Sequence, residues 1–109
     1  MAQKEHYIVV AYHEGFAYIL QLKGVVAGVF YNNAPKVLKT YKTARKEACK
    51  VLVHKKCEYV RIFKVYWNDR VSTDIIWKWE NEEPERIVCE LTHGEKVTDI
   101  IEKPFNNAV

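Results

Sequence analysis

Residues 43–79 read TARKEACKVLVHKKCEYVRIFKVYWNDRVSTDIIWKW, and the division of this stretch between helix and strand decides the fold. Ala44, Ala48, Val51 and Leu52 recur at i, i+4, i+7 and i+8, one apolar stripe at helical spacing. Lys46, Lys50 and His54 fall on roughly the opposite side. Thr43 offers a hydroxyl to an orphan N–H of the first turn, and Glu47 follows early enough to favour the positive end of the dipole. Lys55 and Lys56 suit its negative end, and no glycine or proline interrupts the run. The pattern predicts one principal amphipathic helix near residues 43–56.

From Glu58 the period changes. Tyr59 to Trp67 is dense in β-branched and aromatic residues, and Asn68-Asp69 is a turn signal. Val71, Thr73, Ile75, Trp77 and Trp79 then alternate with Ser72, Asp74, Ile76 and Lys78. A period of two predicts a hairpin over residues 58–79, with Trp67, Trp77 and Trp79 on its core face.

Outward from this stretch the chain reads as further hairpins. Tyr7 to His13 and Phe16 to Leu22 flank a Glu14-Gly15 turn, and Val25 to Tyr31 offers a third strand weakened by Gly28. Val37 to Tyr41 reads as a short edge strand. Beyond the acidic connector of residues 80–85, Ile87, Cys89 and Leu91 alternate with polar or smaller residues. His93-Gly94 then turns the chain towards Val97 to Ile101, and the tail from Pro104 reads as frayed. The expected class is α+β, a mainly antiparallel sheet of about six strands built from hairpins with one principal helix. Residues 1–109 are the size of a single small globular domain. One helix cannot cover both faces of such a sheet, so either the sheet curls or one face stays open to solvent or a partner.

Apolar content of 49% excludes disorder, and the longest apolar runs fall far short of the roughly 20 residues that span a bilayer. The N-terminus carries no apolar signal region. Cys49, Cys57 and Cys89 are odd in number and lack C-x-x-C spacing, which points to thiols in a reducing cytoplasm. His6, His13, His54 and His93 fall in four different elements, so no metal site is expected. Neither a nucleophile-elbow motif, a phosphate-cradling glycine loop nor H-E-x-x-H is present, so the expectation is a non-catalytic protein without cofactor. Cys57 follows two lysines that would lower its pKa, although a helix C-terminus opposes a thiolate.

Charge is distributed unevenly. Residues 36–64 balance at +8 and residues 80–90 at −4, with the remainder recovering the formal +3. A basic helix beside an aromatic strand offers a nucleic-acid surface, with Lys42, Lys46, Lys50, Arg61 and Lys64 on phosphates and Tyr59 and Phe63 as stacking platforms. The plainer account is a solvated helix face over a buried aromatic core. Because the hairpin carries apolar residues on both faces, Val60, Ile62, Lys64 and Tyr66 are the candidate protein interface, towards a second copy of the chain or a target protein.

In general appearance the chain is similar to small proteins of tailed phages: short, hairpin-rich, aromatic and with one helix. Lys39-Thr40-Tyr41-Lys42-Thr43 followed by Ala44 and Ala48 contributes to the likeness. The resemblance implies action by binding a host protein, as a regulator or inhibitor, rather than by catalysis. A protein-binding module, alone or as a homodimer, is the first expectation; a nucleic-acid binder is the second, and an enzyme or small-ligand binder the third.

Overall fold

In the computed structural model, residues 4–21, 24–25, 35–54, 57–66, 68–96 and 98–105 are described. The elements in chain order are β1 (His6–His13), β2 (Phe16–Gln21), β3 (Gly24–Val25), α1 (Tyr41–His54), β4 (Tyr59–Val65), α2 (Thr73–Glu82), a 3-10 turn (Pro84–Arg86), β5 (Ile87–His93) and β6 (Ile100–Pro104). The strands form an antiparallel sheet in the order β3-β2-β1-β4-β5-β6. Five of them are five to eight residues long and the described part of β3 is two residues, so among the described residues the sheet has five full strands where about six were expected. The remainder of the third strand expected over Val25 to Tyr31 lies outside the described residues, as do Trp67, Val97 and the helix end expected at Lys55 and Lys56.

The helix α1 buries the stripe that its period dictates, Ala44, Ala48, Val51 and Leu52. These pack on Val9, Ala11, Val60, Ile62, Cys89 and Leu91, one face of the sheet. The helix starts two residues before Thr43. Thr40 is the capping side chain, its Oγ1 accepting from the Thr43 N–H at 3.2 Å.

The second half of the expected hairpin is not a strand. The Asn68-Asp69 turn forms, with the Asp69 N–H donating to the Tyr66 carbonyl at 2.9 Å, but it leads into α2. Ser72 caps this helix by accepting from the Ile75 N–H at 3.2 Å, and Asp74 lies in its first turn. Its Ile76 and Trp79 are buried on the second face of the sheet, against Ile8, Val10, Ile19, Phe63, Val65 and Ile87. The physical reason is that β4 is apolar on both faces: Val9 pairs with Ile62 towards α1, and Ile8 pairs with Phe63 towards α2. The second face is thus covered from within the chain, by the segment whose alternation suggested an outer strand. Trp77, expected in the core, is 64% exposed on the outside of α2.

Two local features shape the sheet. At the Glu14-Gly15 turn both residues have positive φ, 50° and 83°, as a two-residue hairpin of primed type requires. Glu58 clamps this turn, accepting from the Glu14 N–H at 2.6 Å and pairing with His13 Nδ1 at 2.6 Å. Between β4 and β5 the register steps from Ile62–Cys89 to Phe63–Ile87, so Val88 is an extra residue in β5. The tail beyond β6 is anchored as far as Phe105, whose N–H donates to the Val88 carbonyl at 3.0 Å. The fraying expected from Pro104 therefore does not hold for Pro104 and Phe105.

Candidate functional site

Strands β1 and β2 pair only from Val10–Ile19 to His13–Phe16. Towards the other end they splay, and residues 35–38 enter the gap. Tyr7 and Leu38 exchange both backbone hydrogen bonds at 2.8 Å, while the Lys36 N–H donates to the Leu20 carbonyl at 2.9 Å. The expected strand over Val37 to Tyr41 is thus reduced to a single bridge at Leu38, set between two strands rather than on an edge, with Tyr41 already helical. Backbone donors left by the splay are satisfied by this wedge instead of by a regular ladder.

The splayed end holds a cavity of about 280 Å³, lined by His6, Pro35, Val37, Val65, Tyr66, Asp69 and Val71. Its walls are mostly apolar, and Val37 at 47% exposure leaves it accessible. The Tyr66 wall is fixed by polar contacts behind it. Asp69 Oδ2 accepts from the Tyr66 N–H at 2.7 Å and from Arg86 Nη1 at 2.7 Å. The Arg86 guanidinium in turn lies 5.5 Å from the Tyr66 ring centre and 4.3 Å from that of Trp79. Both charged side chains are largely out of solvent, at 14% and 18% exposure. At the end of β2, Gln21 is buried, and its Oε1 has no partner among the described residues.

Of the interface candidates, only Tyr66 and Lys64 remain partly accessible. Val60 and Ile62 are fully buried beneath α1, so the surface expected from them is internal to the chain. Tyr66 borders the cavity.

The nucleic-acid candidates are dispersed by the two-faced sheet. Phe63 is fully buried under α2, and Tyr59 stacks on Tyr12 at a centroid distance of 4.5 Å. Arg61 pairs with Glu80 at 2.6 Å and Glu90 at 2.9 Å, with its guanidinium about 5 Å from the rings of Tyr12, Tyr59 and Phe105. The expected stacking platform beside free cations is therefore not assembled. What remains is the outer face of α1, where Lys42, Lys46 and Lys50 are exposed.

The titratable groups have structural partners. Burial pushes the Cys57 thiol up, overriding the lowering expected from its basic neighbours, and burial likewise raises Cys89. Tyr12 is raised far above its ordinary value by burial and by its hydroxyl's hydrogen bond to Glu80. The Tyr41 hydroxyl donates its one proton to Glu102, so the Cys89 thiol 3.2 Å away serves as donor to Tyr41. Tyr41 and then Arg45 hold the Glu102 carboxyl below its usual range. Among the described residues no group of three His, Cys, Asp or Glu could hold a metal ion, and no helix is long and apolar enough to cross a membrane. The signal for the cavity was not visible along the chain, because its lining comes from four separate segments brought together by the splay.

No family model, curated protein or solved structure shows significant similarity to this chain.

Proposed function

We propose that the chain is a non-catalytic protein-binding module that regulates or inhibits its target by taking one bulky apolar side chain into the cavity at Val37, Val65, Tyr66 and Val71. The observation that carries this reading is the cavity with its wall fixed by Asp69 and Arg86. At about 280 Å³ it lies just under the roughly 300–1,000 Å³ of small-molecule sites, a size that suits a single anchoring side chain. A target protein is preferred to a second copy because the apolar residues that suggested self-association, Val60 and Ile62, are occupied by α1. The sheet edge at β6 is also blunted by Glu102, Lys103 and Pro104. Three unpaired cysteines fit a reducing compartment, and we place the protein in the cytoplasm.

Burial of one aromatic anchor is worth about 1.5–3 kcal/mol, so Val37→Asp should weaken a partner at least about tenfold. The test is affinity capture from nuclease-treated lysate with wild type, Val37→Asp and Trp77→Ala. The methyl resonances of Val37, Val65 and Val71 are then followed as the captured protein is added. A partner retained by wild type and Trp77→Ala but not by Val37→Asp, with shifts at those methyls, supports the reading. Equal capture by all three, or no shift at the cavity, overturns it.

A further inference from the structure

We propose that the outer face of α1 binds the phosphate backbone of double-stranded nucleic acid without reading its sequence. Lys42, Arg45, Lys46 and Lys50 line one shallow surface with Thr43 and Cys49. Arg45 is engaged by Glu102 at 2.5 Å, whereas Lys42, Lys46 and Lys50 have no carboxylate partner among the described residues. Two arginines elsewhere, Arg61 of β4 and Arg86 of the 3-10 turn, are treated in the opposite way. Each bridges two carboxylates and is neutralised, whereas the three lysines of this face are not. Glu47, the acidic residue nearest this face in sequence, is taken up by Lys36 at 3.0 Å.

The make-up of the face selects among partners. Protein interface centres are depleted of lysine and rich in aromatics, and this face has no exposed aromatic or large aliphatic side chain. A membrane-surface helix inserts an apolar side, but the apolar stripe of α1 is buried on the sheet. Single-strand binding rests on stacking platforms, and the aromatic candidates Tyr59 and Phe63 belong to the other face. A duplex backbone asks only for positive charge. Lys42, Lys46 and Lys50 recur every four residues, so the row extends about 12 Å along the axis, close to the width of a major groove.

The experiment uses a labelled random-sequence DNA duplex of about 20 base pairs, followed by fluorescence anisotropy. Three phosphate contacts predict a log-log salt slope near −2.7, which is a loss of about 40-fold between about 50 and about 200 mM salt. Charge reversal of Lys42, Lys46 and Lys50 together should abolish binding, and the triple glutamine variant should flatten the slope. Lys78→Glu, on exposed α2, and Val37→Asp should leave binding unchanged, which separates this proposal from the cavity reading. Cys49 gives an independent footprint, since it is half-buried on this face while Cys57 and Cys89 are buried. Duplex should slow its alkylation by iodoacetamide. Undetectable binding at low salt, full binding by the triple variants, tighter binding to a single strand of equal length, or unprotected Cys49 would each overturn the proposal.

Discussion

Arg61 Nη1 lies 2.6 Å from Glu80 Oε2, and each of these side chains is 18% exposed. One residue is on the central strand β4 and the other near the end of α2, so this ion pair ties the second helix to the sheet. Glu90 from β5 holds the guanidinium Nε at 2.9 Å, and the Tyr12 hydroxyl donates to the same Glu80 carboxylate. The helix that the alternating pattern concealed is therefore held by polar contacts as well as by Ile76 and Trp79.

Arg61→Met removes the one cation between Glu80 and Glu90. Two partly buried carboxylates then face each other without compensation, at an expected cost on the order of 3 kcal/mol. Glu80→Gln should cost less, about 1 kcal/mol, because Arg61 keeps Glu90. Urea unfolding of both variants checks the order, and an equal loss from the two would show that the pair does not anchor α2.

The two tryptophans of α2 should behave oppositely. Trp79 is buried against Phe63 and lies under Arg86, so Trp79→Ala should lose about 3–5 kcal/mol. Trp77 points to solvent, and Trp77→Ala should stay within about 0.5 kcal/mol. Similar losses at both sites would favour a strand with Trp77 and Trp79 on one face.

Leu52 and Lys50 test the facing of α1. Leu52→Asp places an unpaired charge against Val60 and Ile62 and should unfold the domain or cost more than about 4 kcal/mol. Lys50→Asp, on the exposed face, should change stability by less than about 0.5 kcal/mol. Thermal melts that match wild type in both variants would reverse the helix.

Glu102 predicts an acid dependence. Hydrogen bonds from Tyr41 and Arg45 lower its folded pKa, so the unfolded chain binds the proton more readily. Its contribution to stability is present above the unfolded value of about 4.3 and is lost as pH falls through the lower folded value. Wild type should melt above Glu102→Gln at neutral pH, and the two curves should converge as pH falls below the lowered folded value. A constant gap across that range would assign the difference to packing instead.

Sequence alone determined what local periodicity can encode. The stripe of Ala44, Ala48, Val51 and Leu52 admits one helical face, and Glu14-Gly15 admits one tight hairpin turn. Ile87, Cys89 and Leu91 likewise determined β5. Residues 71–79 were different, because Ile75 and Trp79 are separated by four residues and satisfy a period of two as readily as one of 3.6. Ser72 followed by Asp74 was the helix-start signal that pointed the other way. Only the tertiary structure resolved the conflict: Ile8, Phe63 and Ile87 form an apolar sheet face, and a helix covers it with Ile76 and Trp79. The cavity was decided at the same level. His6, Val37 and Val65 are distant along the chain and meet where β1 and β2 separate around residues 35–38. Such long-range pairings depend on backbone hydrogen bonds seeking partners, and no local pattern records where they will be found.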